Sequence, residues 1–284
     1  MNKHIIFYGL SVVLLTIGSL GCDTPVDKTR LLSGDYRLFQ GTPAWSLAKA
    51  VLDEDTAQIK TEINKDKALI NFREPRFGQP LLQMAVINKN YQSAKALLDL
   101  GANPNLQDHY WGKSPLMSAA GLGMGLGKAG SEPRFLQLLL KFGADPNAEE
   151  NGPEKQGGLK TPLMLACRTS DLSYVKILVD AGADINHVNK YGESALGTGV
   201  VVTDNPDIVL YLLEKGADFS KPFSTYGLTI AEGLRYWRFD LNSDRYRKKM
   251  QIVAFLKKNK IDYWKTKIPD EYLNQYPKAY LEKY

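Results

Sequence analysis

One short pattern returns along this chain at a nearly fixed interval, and that limits the fold more than any other feature. Gly112-Lys113-Ser114-Pro115-Leu116-Met117-Ser118-Ala119 aligns with Thr161-Pro162-Leu163-Met164-Leu165-Ala166. Gly192-Glu193-Ser194-Ala195-Leu196 repeats it, and Gly78-Gln79-Pro80-Leu81-Leu82-Gln83-Met84-Ala85 is a looser copy. Some twenty residues after each copy comes a second marker: Gly101-Ala102-Asn103, Gly143-Ala144-Asp145, Gly182-Ala183-Asp184 and Gly216-Ala217-Asp218. Units this short cannot each enclose a core, so they must bury their apolar faces by stacking on their neighbours.

Each marker has a physical reason. Ser or Thr before Pro offers an oxygen to the free N–H groups of a helix start, and Pro in the first turn loses no bond. Leu and Ala then pack a short helix, and a second helix carries apolar residues at helical spacing, as at Ala94, Leu97 and Leu98. The glycine of Gly-Ala ends that helix in a left-handed conformation that a Cβ opposes.

The co-spaced copies resemble the ankyrin repeat over residues 42–256. The resemblance implies an all-α ankyrin-repeat solenoid: helix-turn-helix units joined by β-turn fingers, about five or six repeats including caps. The family's His, which supports the turn by hydrogen bonding, is replaced by Gln83, Met117, Met164 and Gly197, so the resemblance implies weaker local turns. Residues 42–71 read as a divergent first repeat starting at Thr42-Pro43. Gly227-Leu228-Thr229-Ile230-Ala231 with Ile252, Val253, Phe255 and Leu256 reads as the last; terminal units need one polar outer face. Helix starts at Pro80, Ser114, Thr161, Ser194 and Thr229 give steps of 34, 47, 33 and 35 residues. The long step divides between residues 121–132 and 148–158, which predicts surface insertions there.

Ahead of the repeats, Lys3 precedes a 16-residue apolar or small run at 5–20, shorter than the roughly 20 residues of a spanning helix. The run and Ser19-Leu20-Gly21-Cys22 resemble a bacterial lipoprotein signal. That implies a signal peptide at 1–21, an acylated Cys22, a tether at 22–41, and a bacterial-envelope location on the periplasmic side of a membrane. Asp23 resembles an inner-membrane retention signal, but the leaflet stays open. With Cys22 acylated, Cys167 is the one remaining thiol, and its inward-facing helical position predicts a buried structural residue.

Composition excludes several functions. The chain has 284 residues, 44% hydrophobic and 24% charged, which is ordinary for a globular protein and unlike a polytopic membrane protein. Two cysteines and three histidines leave no disulfide scaffold and no multi-His metal site. Gly125, Gly127 and Gly130 spell a nucleotide-loop pattern but follow a helix rather than a strand. No cofactor, metal or catalytic activity is expected. Residues 234–267 hold eleven Lys/Arg against three Asp, interleaved with Tyr236, Trp237, Tyr246, Tyr263 and Trp264. In an exported protein this suggests anionic lipid, an acidic partner or a solvated capping face rather than nucleic acid. Residues 257–284 are expected to form a basic, aromatic extension whose Tyr272, Tyr276 and Tyr280 dock back on the body. Pairs such as Glu149-Glu150 read as solvated loop charges.

Ankyrin proteins resemble one another in binding other proteins with their finger tips and concave face. Carried over, the fingers fall at 72–77, 107–111, 149–151, 189–191 and 223–226. The expected partner-binding residues are Asp108, His109, Tyr110, Trp111, Asn189, Lys190, Tyr191, Phe223 and Tyr226. Large aromatics at such tips are what binding hot spots use, although packing under the next finger would also explain them. The expected function is a non-catalytic binding module on an envelope membrane, monomeric when free. It resembles the lipid-anchored ankyrin proteins that act as immunity factors against periplasmic toxins. The alternative is a structural envelope scaffold contacting anionic lipid or periplasmic enzymes.

Overall fold

The computed structural model describes residues 26–121, 132–153, 158–169, 171–223, 227–273 and 275–283. Among the described residues six helix pairs follow one another: α1 (Trp45–Leu52) with α2 (Thr56–Lys65), α3 (Leu81–Ile87) with α4 (Tyr91–Asp99), and α5 (Pro115–Ala120) with α6 (Pro133–Lys141). Next come α7 (Pro162–Cys167) with α8 (Leu172–Asp180), α9 (Ala195–Val201) with α10 (Pro206–Glu214), and α11 (Ile230–Arg235) with α12 (Asp244–Lys258). Single turns α13 (Asp270–Leu273) and α14 (Lys278–Leu281) close the chain. Among the described residues extended pairing is confined to isolated bridges, such as Val188 with Ser194, at finger bases.

The expected helix starts are found. Ser114, Thr161 and Ser194 each accept a hydrogen bond from the backbone N–H three residues on, at 3.2, 3.4 and 3.1 Å. Thr229 does the same, and Glu232 reaches back to the Thr229 N–H at 2.8 Å, which satisfies two free donors at once. Thr42 departs from the pattern: its hydroxyl donates to Phe39 O at 2.7 Å and α1 begins from Ala44. The first insertion lies between α5 and α6, with residues 122–131 outside the described residues.

The second marker does more than end a helix. Gly143 and Gly182 take φ of 84° and 88°, with open space where a Cβ would stand, so backbone conformation rather than room selects glycine. Each turn is also tied to the next by an asparagine. Asn105 accepts from Asp145 N at 2.8 Å and donates to Gly143 O at 3.0 Å. Asn147 repeats this with Asp184 N and Gly182 O, and Asn186 with Asp218 N and Gly216 O. Asn71 accepts from Asn103 N at 2.9 Å, which starts the ladder.

Two segments flanking the repeats pack against them. Within the segment read as a tether, residues 26–41 are packed: Leu38 and Phe39 are fully buried against the first helix pair, with Tyr36 and Leu31 beside them. Apolar side chains spaced for one face outweighed the segment's turn-rich composition. Cys22 and the other residues up to 25 lie outside the described residues. At the other end, 257–284 packs back on the repeats, and Tyr263 belongs to the same core cluster as Leu31. The tyrosine stripe docks as expected, with Tyr272 on α13, Tyr280 on α14 and Tyr276 between them. Tyr272 packs edge-on to Tyr236, and Tyr276 stacks on Tyr280 at 5.1 Å. Cys167 is fully buried, and burial pushes its thiol up to about 12. No described helix is long and apolar enough to cross a membrane.

Candidate partner-binding surface

The first four fingers are each organised from within by a buried polar side chain at the base. Asp108, 2% exposed, accepts from the N–H groups of Tyr110, Trp111 and Gly112 at 3.0, 2.6 and 3.1 Å, and from Lys113 N at 3.3 Å. Glu74 does this for Phe77 and Gln79, and Glu150 for Gly158 and Lys160. Asn189 accepts from Tyr191 N and Glu193 N, both at 3.0 Å, and donates to Gly158 O at 3.1 Å. A carboxylate or amide that gathers several backbone donors satisfies groups that a tight turn leaves unpaired.

Asp108 and Asn189, expected to meet a partner, therefore hold the loops that carry their neighbours. Glu150, expected to be solvated, is 4% exposed and does the same. Sequence reasoning passed over Glu74 and Glu150 because adjacent charges in a loop carry no periodic signal. For Glu74 the available clue was its place shortly before Gly78, a glycine of positive φ, as Asp108 stands before Gly112.

Fingers also touch one another. His109 N donates to Phe77 O at 2.9 Å, and Asn151 N to Gly112 O at 3.3 Å. A Cβ on Gly112 would lie 2.0 Å from Gly152 N, so only glycine allows this approach. Phe77, Tyr110 and Trp111 form one aromatic group: Phe77 stacks on Trp111 at 5.8 Å, and Tyr110 stands edge-on to both. Tyr110 and Trp111 stay half-buried and His109 is exposed beside Arg73. Tyr191 is exposed, with the Lys190 ammonium 5.3 Å from its ring centre. His187 meets Glu149 at 2.5 Å across two fingers.

Phe223 also departs from its expected place. It is 4% exposed and lies against Gly197 and Gly233, whose added Cβ atoms would come within 3.0 and 3.6 Å of it. Gly197 stands where earlier repeats carry Gln83, Met117 and Met164, and the Phe223 ring fills the space those side chains take. Tyr226 lies outside the described residues.

The replacements of the expected His are equally specific. Gln83 donates to Asp108 at 2.9 Å and to Ser118 at 3.0 Å, so this turn keeps a side-chain support that the sequence reading took as lost. Met117 instead accepts from Ser114 N at 3.3 Å. Between the inner helices and the fingers lies a cavity of about 320 Å³, walled by Gln83, Ile87, Trp111, Met117, Ser118 and Leu165 among others.

The basic C-terminal end is less outward than its composition suggests. Arg235 is buried, donating to Tyr263 O and Thr266 Oγ1 at 3.0 Å with its guanidinium 4.1 Å from the Tyr263 ring centre. Lys249 is fully buried and donates to Trp237 O at 3.2 Å; burial, and next the nearby Arg235 charge, push its ammonium down to about 6. Lys248 pairs with Asp207 and Asp244.

Stacked helix pairs, left-handed turn glycines and projecting fingers define a helical-repeat binding scaffold. The repeats are ankyrin repeats: a model of three ankyrin copies matches residues 126–222, and a single-repeat model matches residues 77–109. A crystal structure of EF0377, an ankyrin repeat protein, superposes with a TM-score of 0.54 at 29% identity, covering 74% of this chain and 96% of that one. The human neurogenic locus notch homolog protein 2 is 31% identical over 166 residues, 58% of this chain and 6% of that protein. The human ankyrin repeat and SOCS box protein 6 is 28% identical over 222 residues, 76% of this chain and 46% of that protein. The chain thus spans less than half the length of the notch homolog and of the SOCS box protein. Ankyrin repeats imply a protein-binding module, a non-catalytic interaction scaffold.

Proposed function

We propose that this chain binds one protein partner through its fingers and concave face while an acylated Cys22 holds it on a bacterial envelope membrane. In this reading it is an immunity protein that occludes a toxin delivered to the periplasm. The observation that carries the binding part is the aromatic group at the fingers, Phe77, Tyr110 and Trp111, with Tyr191 exposed on a later finger. Rigid aromatics give contact area at small entropic cost. The envelope part rests on residues 1–22 of the sequence, which resemble a lipoprotein signal.

Affinity capture tests it, with the mature chain carrying Cys22→Ser as bait in envelope extracts that express the neighbouring genes. The expected result is one stoichiometric partner, lost when Trp111→Ala and Tyr191→Ala are combined, whose toxicity rises in cells lacking this protein. A partner indifferent to both substitutions would sink the finger surface. Unchanged sensitivity to every envelope toxin encoded beside the gene would sink the immunity role.

The scaffold reading keeps one supporting observation, Trp264 at 47% exposure beside exposed Lys265 and Lys267. It loses the inward-turned Arg235 and Lys249. Binding of the unlipidated chain to anionic vesicles that weakens with salt would support it, and salt-insensitive or absent binding would remove it.

A further inference from the structure

The fold sorts the charges of the fingers by sign. Among the described finger residues, Glu74, Asp108 and Glu150 are 1%, 2% and 4% exposed. Each turns inward and accepts backbone N–H groups of its own finger. A carboxylate held in that way is compensated by the donors around it and has little to offer a partner. The two half-buried acids of the row are taken as well: Glu149 meets His187 at 2.5 Å, and Glu193 meets Lys160 at 3.4 Å.

The bases face the other way. Arg76, Lys190 and Lys221 are exposed, and Lys113 is half-buried with Glu150 at 3.7 Å. On three fingers the cation lies by an aromatic ring. The Arg76 guanidinium is 4.8 Å from the Phe77 ring centre, the Lys113 ammonium 5.9 Å from that of Trp111, and the Lys190 ammonium 5.3 Å from that of Tyr191. A ring face attracts a cation and covers part of its water shell, so a carboxylate arriving there meets a charge already placed and partly desolvated. Residues 154–157, outside the described residues, add one Glu and one Lys and leave the balance unchanged.

We propose that the finger row docks an acidic surface of the partner protein, whose carboxylates reach the cations beside Phe77, Trp111 and Tyr191. This rests on the protein-binding reading above and gives the partner its chemistry. The aromatics supply contact area, while opposite charge sets register and speeds encounter. Composition points elsewhere, to the Lys/Arg run at 234–267, but that end turns Arg235 and Lys249 inward. Its exposed lysines serve as the control.

The test uses the full chain carrying Cys22→Ser and, as probes, labelled oligoglutamate and oligolysine peptides of equal length, read by fluorescence anisotropy. The expected result is saturable binding of oligoglutamate and none of oligolysine. It should weaken about tenfold as added salt shortens the screening length from about 30 to about 8 Å. Lys113→Gln, Lys190→Gln and Lys221→Gln together should weaken it about tenfold, and the exposed pair Lys190→Gln and Lys221→Gln alone about threefold. Lys257→Gln, Lys258→Gln and Lys260→Gln remove the same charge from exposed sites at the C-terminal end and should change it less than about twofold. Matching thermal unfolding of the variants checks that the fold is kept. Equal losses from both triple variants, or no oligoglutamate binding, overturns the acidic-surface assignment. Tighter binding to anionic vesicles through the same three finger lysines also overturns it and assigns a lipid surface instead. A captured partner lost with Trp111→Ala and Tyr191→Ala but indifferent to the lysine changes would overturn it and leave the binding module standing, so the two failures are distinguishable.

Discussion

Asn147 joins two consecutive repeats: its Oδ1 accepts from Asp184 N at 2.7 Å while its Nδ2 donates to Gly182 O at 3.0 Å. One side chain thereby closes the turn of the following unit. Asn147→Ala removes both bonds at an exposed site, and each is worth about 1 kcal/mol net, so a loss of about 1–2 kcal/mol is expected. Urea unfolding would check it. A cost no larger than that of an ordinary surface substitution would show that the ladder is decoration.

Asp108→Ala is expected to cost more, about 2–4 kcal/mol, because it abandons four backbone donors and the Gln83 amide in a buried place. Asp108→Asn should cost less, since one oxygen remains to accept. Thermal unfolding ranks the two, and equal losses would argue against an acceptor role.

The aromatic side chains divide sharply. Phe223→Ala opens a cavity over Gly197 and Gly233 and is expected to destabilise by about 3–5 kcal/mol. Tyr191→Ala should stay within about 0.5 kcal/mol of the parent while weakening partner binding about tenfold or more. Paired unfolding and binding titrations separate them, and a destabilised Tyr191→Ala would reassign that ring to packing.

Lys249 makes stability depend on pH. Its folded-state ammonium is pushed down to about 6, whereas an unfolded lysine holds its proton to about 10.4. Between those values the unfolded chain binds the extra proton, so stability rises with pH, by at most about 1.4 kcal/mol per unit. The burial penalty is complete below about pH 6 and fades towards pH 10. Lys249→Met, after the loss of the bond to Trp237 O, should gain on the parent most at about pH 6 and progressively less towards about pH 9. A pH-independent difference between the two would mean that Lys249 stays charged in the folded chain.

Much of this was legible in the chain, and the reasons are local. Ser114, Thr161, Ser194 and Thr229 cap helices as their spacing demanded, and Gly101, Gly143, Gly182 and Gly216 take the positive φ that their place after a helix required. What could not be read depends on contacts between units. Nothing near Asn147 in sequence announces a bond to Gly182, and Phe223 looks like a finger tip until Gly197 is seen to have left it a place. Burial of Arg235 and Lys249 was hidden for the same reason: composition counts charges without saying which way they turn. Of the residues read as a candidate surface, Asp108, Asn189 and Phe223 turn inward, while His109, Lys190 and Tyr191 face outward.

A stack in which every unit bonds to the next in the same way has no length of its own and, like a growing crystal, stops only where a step is missing. Here the step is Ser220, at the place where Asn105, Asn147 and Asn186 stand in earlier turns. Its hydroxyl turns back to the Asp218 carboxylate at 2.6 Å rather than forward. The final helix pair is fastened by unique parts instead, such as the Trp237 indole on Val200 O at 2.7 Å. The repeating bond pattern is thus terminated from within, and a further unit added at that end would find no asparagine to meet it.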